Sequence, residues 1–462
     1  VLKQRTREFI GTGALLAGDL LFQCLAFYLT YRIRVDLIPL VFSEVPNFKL
    51  KVAQYWWILP IWVGILVYEG GYTKRLTYWD EVKTLWKVSF FSAVATVFVL
   101  FVRKKAPLFS RTMILVMPLV ALGLWPLWRT WLKKFLYRVD LLKRKVLIAG
   151  AGEKARRVLK AIRQEPNLGY EVVGFVSDEK TGPRWIEGLK VYKFLDRIDR
   201  YLCRCRISNV IIALEGKKEK DIAPIINRVH HRANSVLYVP EISGISVLCT
   251  ELKHFFSEQS LALEIKNNLE SPFNYALKRT MDYLGAILLL PFVLPIMLLI
   301  AIAIKLTSPG PVIYSHERLG KGNKRFRCLK FRTMYLDADE RLKELLERDP
   351  EARAEWEKHW KLKNDPRVTP VGRFLRKTSL DELPQIFNVL KGQMSLVGPR
   401  PYLPREEENM GHYKGIILSV PPGVTGLWQV SGRSNTTYRD RLEMDSWYVR
   451  NWTPWLDVVI LI

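Results

Sequence analysis

Four long apolar runs in the first 130 residues constrain what this chain can fold into. The first run, Phe9–Tyr31, contains a single acid, Asp19, and the other three, Val52–Tyr68, Val88–Val102 and Thr112–Trp128, contain no charged residue. Crossing the hydrocarbon of a bilayer takes about 20 residues, and fewer where Trp, Lys and Arg anchor the ends. A signal peptide is one short run with a cleavage site, so four runs favour a four-span bundle.

Basic residues are unequally distributed around these runs. They are more frequent at the start, in the second loop and after Trp128 than in the first and third loops. Because loops rich in Lys and Arg stay in the cytoplasm, we expect both ends of the bundle to lie there. We expect Asp19 to make a polar contact inside the bundle; the alternative is a functional intramembrane acid.

The overall charge narrows the class of partner. The 462 residues include 71 Lys and Arg against 45 Asp and Glu, a net charge of +26. Such an excess suits nucleic acid, anionic lipid or phosphorylated substrates, and the apolar runs argue against nucleic acid. Five cysteines give no paired framework, so we expect reduced thiols and cytoplasm-facing domains. The chain begins without Met and ends inside an apolar run, so we expect the natural termini to lie beyond it.

A glycine-rich turn marks a second unit. The β-rich run Lys145–Ala149 leads into Gly150-Ala-Gly152-Glu-Lys-Ala155 and a helical pattern, an order in which glycines let a pyrophosphate approach a helix N-terminus. The strands predicted after it are Glu171–Val176, Asn209–Leu214 and Ser235–Val239. Residues 141–270 therefore predict a Rossmann-like α/β domain.

This unit has two possible roles. A short-chain-type dehydratase needs Tyr-x-x-x-Lys for proton transfer, and no tyrosine of this chain has Lys four residues on. The unit also has room for only one nucleotide-binding half. We therefore interpret it as a regulatory or dimerising module rather than a redox site.

A fifth apolar run lies further along the chain. Tyr283–Ile304 contains 22 uncharged residues, and Pro291 and Pro295 in its middle are predicted to bend or break the helix. Basic residues flank it, Lys278 before and Lys305 after. We expect the chain to turn back to the cytoplasmic side here; the alternative is a plain kinked span.

Residues that handle phosphate follow. In Arg325-Phe-Arg327-Cys-Leu-Lys330-Phe-Arg332 cations alternate with apolar residues, which predicts a strand with its cations on one face. The run Ser379-Leu-Asp381-Glu382-Leu-Pro384-Gln385 places two adjacent carboxylates at a predicted helix start. Ser379 and Glu382 fit a capping box there, but a helix N-terminus also keeps an Asp ionised and attracts phosphate.

Two later runs suit anion and sugar contacts. Gly398-Pro-Arg400-Pro401 fixes one arginine between prolines as an anion clamp, and Pro422–Arg433 has the glycines of a loop that wraps a nucleotide or sugar. Trp447, Tyr448, Trp452 and Trp455 are spaced like an interfacial aromatic belt.

Four motifs together resemble one family, the bacterial sugar transferases, which are monotopic polyprenyl-phosphate phosphoglycosyl transferases. The motifs are Lys330-Phe-Arg-Thr-Met, Thr378-Ser-Leu-Asp-Glu-Leu-Pro-Gln, Gly398-Pro-Arg-Pro and Gly426-Leu-Trp-Gln-Val-Ser-Gly-Arg. The resemblance begins near residue 273, and the whole layout is similar to that of long undecaprenyl-phosphate galactose phosphotransferases.

The fold class expected from this layout is a multidomain membrane protein with three domains. They are a four-helix transmembrane bundle over 1–140, the Rossmann-like α/β domain over 141–270, and an α/β-type monotopic catalytic domain with a re-entrant membrane helix over 271–462.

The resemblance implies an activity. A sugar 1-phosphate would move from a UDP-sugar to undecaprenyl phosphate with release of UMP, through a covalent aspartyl phosphosugar, as the first membrane step of O-antigen, capsule or exopolysaccharide assembly. It also implies Mg²⁺ and a place in the bacterial inner membrane, and we expect a homodimer. Overall likeness suggests galactose, with glucose and N-acetylhexosamine open. The rival interpretations are a membrane-anchored NAD-dependent sugar-nucleotide dehydratase and an inactive assembly scaffold.

The resemblance also assigns roles to residues. The catalytic Asp–Glu pair falls on Asp381 and Glu382, which are also the candidate Mg²⁺ ligands. The helix break falls on Pro295, with Pro291 as an additional proline. The candidate substrate-binding residues are Lys330, Arg332, Arg376, Arg400, Arg367, Gln429 and Arg433.

Overall fold

The structure, a computed structural model, divides the chain into two compact units, residues 1–242 and 243–462. The residues it describes are 2–42, 55–103, 110–177, 183–195, 198, 201–202, 207, 209–217, 219–230, 233, 235–240, 250–255, 260–265, 268–269, 271–351, 353, 356, 365–432 and 436–462. The first predicted domain boundary, after residue 140, lies inside the first unit, between a helix that ends at Arg138 and a strand that begins at Arg144. The division into three domains stays a prediction.

The first unit begins with a helical bundle. Its helices are α1 (Leu2–Arg32, continued by a π-helical turn at Ile33–Leu37 and a helical turn at Ile38–Val41), α2 (Ile58–Tyr68), α3 (Tyr78–Val102) and α4 (Arg111–Arg138). Among the described residues, α1, α3 and α4 are long and apolar enough to cross a membrane, as predicted. The described part of the second predicted run is the 11-residue α2.

Large side chains fill the bundle interior. Trp62, Leu66, Leu85 and Trp125 are all at most 2% exposed, and Phe22 stacks on Trp125 with ring centroids 5.8 Å apart. Apolar side chains on the outer faces of the same helices are exposed, among them Phe98, Phe101, Leu115 and Leu119. An apolar surface of this kind suits lipid rather than water.

Four charged residues are buried together inside the bundle. Arg129 pairs with Asp19 (Nη1 to Oδ2, 3.3 Å) and with Glu81 (Nε to Oε1, 2.9 Å), and Lys133 pairs with the same Glu81 oxygen at 2.6 Å. Trp125 Nε1 donates to Asp19 at 2.9 Å. Buried charges are tolerated when they are paired in this way. The prediction that Asp19 makes a polar contact inside the bundle is confirmed.

An α/β sheet follows in the same unit. Its elements are β1 (Arg144–Ala149), α5 (Glu153–Gln164), β2 (Tyr170–Ser177), β3 (Trp185–Ile186), β4 (Leu189–Lys193), β5 (Asn209–Ile212), α6 (Glu219–His230) and β6 (Ser235–Tyr238). The strand order is β3-β4-β2-β1-β5-β6, parallel except between β3 and β4. The four predicted strands are confirmed, and β3 and β4 were not predicted.

A side chain of the α/β part enters the polar interior of the bundle. Asn167, in a single 3-10 turn before β2, donates to Glu81 Oε2 at 2.7 Å and to the carbonyl of Leu76 at 3.0 Å. The Tyr137 hydroxyl donates to the Asn167 carbonyl at 2.9 Å. The sheet is therefore attached to the bundle by the same network that neutralises the buried charges.

The second unit contains one very long helix. Its elements are β7 (Thr250–Phe255), β8 (Ser260–Ile265), α7 (Pro272–Thr307), β9 (Ile313–Leu319), β10 (Arg325–Phe331), α8 (Ala338–Arg348), α9 (Pro370–Thr378), α10 (Gln385–Leu390), β11 (Ser395–Val397), α11 (Lys414–Ile417), β12 (Gly423–Thr425), α12 (Leu427–Gly432), α13 (Tyr438–Arg450) and α14 (Pro454–Leu461). β9 and β10 form an antiparallel pair, and β11 and β12 a parallel one.

Helical structure in α7 continues through both of its prolines. An interruption of the helix at Pro295 or Pro291 is therefore not observed in the secondary structure, and the predicted bend at these prolines stays a prediction. Each proline lacks an N–H and so removes one backbone hydrogen bond, but apolar helices tolerate such a loss when neighbouring structure compensates. The re-entrant path stays a prediction.

Buried ions hold the first turns of α7 to the rest of the unit. Lys278 Nζ contacts Asp457 Oδ2 at 2.6 Å and Asp282 Oδ1 at 3.2 Å, and it donates to the Val397 carbonyl at 2.9 Å. Asp282 Oδ1 also accepts from the Ser395 hydroxyl at 2.8 Å and from the backbone N–H of Leu396 at 3.0 Å. These turns are part of the folded domain.

Two predictions for this unit are wrong. On β10, Arg325 and Arg327 are exposed, whereas Lys330 shares its face with the buried Phe326 and Cys328, because alternate residues of a strand point to opposite faces. The cations therefore do not share one face.

The predicted aromatic belt also fails at two positions. Tyr448 is 1% exposed and Trp452 is 0% exposed, and both belong to a core cluster with Val397 and Val449. Trp447 is 38% exposed. Aromatic spacing alone does not separate a lipid-facing ring from a core ring.

Candidate active site

The two adjacent carboxylates lie in a tight turn between two helices. Asp381 and Glu382 belong to a single 3-10 turn, Leu380–Glu382, that joins α9 to α10. Ser379 ends α9 in the left-handed conformation (φ 59°) and makes no capping hydrogen bond with its side chain. The predicted capping box is therefore absent here, because Ser379 lies in a left-handed turn.

Lys330 is the cation that both carboxylates share. Its Nζ donates to Glu382 Oε1 at 2.6 Å and lies 4.0 Å from Asp381 Oδ2. The Asp381 side chain is 13% exposed, and those of Lys330 and Glu382 are each 28% exposed. The single positive charge of Lys330 therefore neutralises only part of the negative charge of these two partly buried carboxylates.

A buried amide positions Lys330 beside this pair. Asn388 of α10 accepts from the backbone N–H of Leu329 at 3.0 Å and donates to the carbonyl of Arg327 at 2.8 Å. These bonds fix β10 against the helix that follows the two acids. The sequence analysis missed Asn388, since a polar residue in a short helix carries no distinctive pattern.

Burial changes the acidity of Asp381. Desolvation raises the pKa of its carboxyl above the ordinary value, Lys330 opposes this, and Glu382 adds to it. We expected Asp381 to lie at a helix N-terminus whose dipole favours its ionised form. The predicted helix N-terminus is wrong, because the residue lies in one 3-10 turn, which is too short for an appreciable helix dipole.

The charge of Arg376 interacts with that of Asp381. Burial lowers the pKa of its guanidinium, while Asp365 and Asp381 act in the opposite direction. Its Nε donates to the Thr333 hydroxyl at 2.9 Å. Arg376 is thus coupled to Asp381 electrostatically, and its role as a substrate ligand stays a prediction.

Two other predicted arginines make contacts inside the domain. Arg332 is 7% exposed and donates to the carbonyls of Ser308 and Pro309 at 2.7 and 2.8 Å. Arg367 is also 7% exposed and binds Asp365 through two bonds, 2.8 Å from Nε and 2.7 Å from Nη2. Arg332 connects two segments of the domain, whereas Arg367 makes a local contact two residues away, and their roles as substrate ligands stay predictions.

Arg400 lies on a tight loop that begins after β11. The loop is close to β12, where a Cβ on Gly423 would lie 2.1 Å from the nitrogen of Gly398. The Arg400 guanidinium lies 5.9 Å from the ring centroids of both Tyr402 and Trp428. Both rings lie within the range of a cation–π contact with the guanidinium, and the role of Arg400 as an anion clamp stays a prediction.

Asp445 and Arg318 support that loop, and the sequence analysis assigned neither to the site. Asp445 is 0% exposed and accepts from the Arg400 backbone N–H at 3.1 Å and the Tyr402 hydroxyl at 2.8 Å. Burial raises its pKa to about 7. Arg318 Nη1 donates to the Pro401 carbonyl at 3.2 Å, and burial and then the charge of Arg400 lower the pKa of Arg318.

The last two predicted residues lie at α12. Gln429 is partly buried in this helix, near Gly426. Arg433 lies outside the described residues. Both assignments stay predictions.

The carboxylate oxygens of Asp381 and Glu382 are ligands of the kind that Mg²⁺ binds. Among the described residues there is no group of three or more His, Cys, Asp or Glu side chains that could hold a metal ion. Mg²⁺ is commonly bound through one or two carboxylates and completed by water and substrate phosphates. Asp381 and Glu382 would supply that number of carboxylates.

Two family models match parts of the chain. A family model described as bacterial sugar transferase matches residues 273–462, and one described as CoA-binding domain matches residues 67–240.

Similar proteins extend over most of the chain. The undecaprenyl-phosphate galactose phosphotransferase of Salmonella typhimurium is 40% identical over 90% of this chain and 85% of its own length. The UDP-galactose-lipid carrier transferase of Erwinia amylovora is 33% identical over 99% of this chain and 97% of its own. The UDP-glucose:undecaprenyl-phosphate glucose-1-phosphate transferase of Escherichia coli is 33% identical over 72% and 68%. The chain therefore belongs to the bacterial sugar transferase family and is a transferase enzyme.

Proposed function

We propose that this enzyme transfers a hexose 1-phosphate from a UDP-sugar to undecaprenyl phosphate through a covalent intermediate on Asp381. A carboxylate oxygen of Asp381 attacks the β-phosphorus, the bond to the UMP oxygen breaks, and UMP leaves with the electron pair. An oxygen of undecaprenyl phosphate then attacks the same phosphorus. The carboxylate is regenerated, and the product is a lipid diphosphate sugar.

The partly buried Asp381 is the observation that carries this proposal. A carboxylate whose pKa is raised by burial is a stronger base and, in its ionised form, a better nucleophile than one in water. Lys330 and Arg376 would offset the charge that develops on the phosphoryl oxygens. Mg²⁺ held by Glu382 and Asp381 would neutralise part of the charge of the diphosphate when bound.

We propose galactose as the sugar. Of three relatives that match more than four fifths of both chains, two carry galactose in their names and one is named only as a sugar transferase, and the glucose enzyme matches a smaller part. Glucose and N-acetylhexosamine are the alternatives. The product would be the first lipid-linked sugar of a bacterial surface polysaccharide.

We propose that the lipid acceptor reaches the site along α7, and the packing of this helix supports that path. Along one stripe, Ala286, Met297, Ile300 and Ile304 are buried, while Leu288, Phe292, Leu298 and Leu299 on other faces are exposed. Ala286 packs with Ile386 and Met394, whereas Ile300 and Ile304 pack with Phe331 and Leu375. One domain thus holds both halves of the helix, which supports entry and exit on the cytoplasmic face of the inner membrane.

Cysteine labelling tests this topology. Thr280 and Leu306 are exposed near the two ends of α7, and we expect Thr280→Cys and Leu306→Cys to react with an impermeant reagent only after the cells are permeabilised. Reaction of one position alone in intact cells would exclude the re-entrant path. The expected homodimer is tested separately, by the mass of the enzyme in nanodiscs.

Incubation with UDP-sugar in the absence of lipid acceptor tests the chemistry. We expect UMP release of up to about one equivalent and one sugar-phosphate mass on the peptide that contains Asp381. The same incubation with UDP-galactose, UDP-glucose and their N-acetylated forms identifies the sugar, because the natural donor should give the largest initial release (burst) of UMP. UMP that appears only after undecaprenyl phosphate is added, with no adduct trapped, would contradict the covalent route.

A matched control separates the nucleophile from a general loss of charge. Asp337 is an exposed acid before α8 that pairs with Arg341 at 2.9 Å. We expect Asp337→Asn to keep both the burst and the adduct, and Asp381→Asn to lose both.

A further inference from the structure

The glycine-rich turn of the α/β part contains a carboxylate. After β1 the chain turns through Gly150 (φ 126°), where a Cβ would lie 2.3 Å from the carbonyl oxygen of Ala213. α5 then begins at Glu153, with Gly152 before it. The backbone N–H of Glu153 donates to Glu215 Oε2 at 3.0 Å, and a Cβ on Gly152 would lie 2.2 Å from that oxygen.

This oxygen lies where the sequence motif would place a phosphate. In a dinucleotide fold, the pyrophosphate accepts from backbone N–H groups at the start of the first helix, over a glycine that lets it approach. Here Glu215, which follows β5 by three residues, already accepts such a hydrogen bond over such a glycine. The Glu215 carboxylate therefore occupies the space over Gly152 and accepts the Glu153 N–H hydrogen bond that a phosphate would need.

The charges around the turn oppose a second anion. Glu153 adds another carboxylate, which pairs with Arg157 at 3.5 Å. Lys154 is directed to protein groups, since its Nζ donates to the Leu214 carbonyl at 3.1 Å and lies 5.8 Å from the centroid of the Tyr238 ring. A pyrophosphate would enter beside like charge.

CoA, the ligand implied by the family model matched at residues 67–240, contains a pyrophosphate. The residues present at this turn do not fit it. We propose that Glu215 is the resident anion of the turn and that it closes this position to CoA and to other pyrophosphate-containing nucleotides. The α/β part then contributes attachment to the bundle, through Asn167, rather than a nucleotide site.

Hydrogen exchange on the full-length enzyme in nanodiscs tests this proposal, with CoA, NAD⁺ and inorganic pyrophosphate as probes in buffer without Mg²⁺. The readout is the peptide that covers residues 150–164, which separates this turn from nucleotide binding at the transferase domain. In the unaltered enzyme we expect no change in exchange at about millimolar probe. In Glu215→Ala we expect slowed exchange, with binding at least about tenfold tighter, since a charge and its volume are removed.

Two further variants define the cause. Glu215→Gln removes the charge but keeps the size, so its affinity for pyrophosphate should lie between those of the unaltered enzyme and Glu215→Ala. Glu171→Gln, an exposed position at the opposite end of β2, should behave like the unaltered enzyme. Equal protection by CoA in the unaltered enzyme and in Glu215→Ala would overturn the proposal. If the turn binds no probe in any variant, the proposal would also be overturned, because something other than Glu215 would then prevent binding.

Discussion

The two units use the same kinds of charged residue in opposite ways. In the first unit, Arg129 and Glu81 are at most 5% exposed and bind each other and further charged partners. In the second unit, Asp381 and Glu382 share the single ammonium of Lys330, and all three side chains keep access to solvent. Fully paired ions stabilise a fold, whereas partly paired ions at a surface can exchange a protein partner for a substrate.

The difference has a physical cause in desolvation. Leaving one member of a buried pair alone costs about 3–5 kcal/mol, so a buried network can rarely open for a ligand. A partly exposed pair contributes about 1 kcal/mol or less, so opening it is cheap. Variants of the two sets should therefore separate stability from activity.

The largest effect should come from Asp381. We expect Asp381→Asn to lower turnover by at least about 10³-fold, close to 4 kcal/mol in the barrier, because the amide cannot form the acyl phosphate. The unfolding midpoint should change little. Steady-state UMP release with both substrates measures the loss, and a variant that keeps a tenth of the activity would exclude the nucleophile.

Arg129 should show the reverse behaviour. We expect Arg129→Met to lower the free energy of unfolding by about 3 kcal/mol or more, because Asp19 and Glu81 would be left with one ammonium. Thermal unfolding in nanodiscs measures this, and activity per folded molecule should be unchanged. Adding Asp19→Asn should recover part of the loss, whereas a further loss would show that the charges do not act as one network.

Lys330 tests whether a partly paired cation serves the chemistry. We expect Lys330→Met to lower activity about 10- to 100-fold at neutral pH with less than about 1 kcal/mol change in stability. Since Lys330 lowers the pKa of Asp381, its removal should raise that pKa further. Activity should then be lost at a higher pH as the medium is acidified. A pH profile with an unmoved acid limb would contradict the pairing.

The smallest effect concerns Asp445. Its pKa is about 7 in the folded enzyme, above the ordinary value, so the folded state holds a proton that the unfolded state has lost. The free energy of unfolding should therefore fall by about 1 kcal/mol as the pH rises from about 6 to about 8. Asp445→Asn should remove this dependence in thermal unfolding, and an unchanged slope would assign it to other groups.

Local patterns were sufficient for much of this molecule. Four of the six strands described in the α/β sheet follow from β-rich runs and turn residues, and the buried Asp19 follows from the cost of an acid in an apolar run. The resemblance assigned Asp381 and Lys330 to one site, and the structure brings them within 4.0 Å although they lie 51 residues apart in the chain. Here the family resemblance supplied what spacing alone does not.

Tertiary contacts decided what the patterns did not. Arg332 and Arg367, two candidate substrate ligands, make hydrogen bonds within the domain, and their roles as ligands stay predictions. Tyr448 and Trp452 read as membrane anchors, yet they are core residues. Glu215 has no signal in the sequence, because its partner, the backbone N–H of Glu153, lies 62 residues away. Except for Arg367, whose partner Asp365 is two residues away, these residues have partners that are remote in the chain.

The ions at the start of α7 determine how a water-soluble form of this enzyme would have to be designed. Deleting residues 272–307 would take Lys278 from Asp457, which is 2% exposed, and would remove Asp282 as an acceptor for β11. The catalytic domain would lose internal structure together with its membrane contact. Solubility should instead come from polar replacements on the exposed faces beyond Ala286, with the helix kept in place.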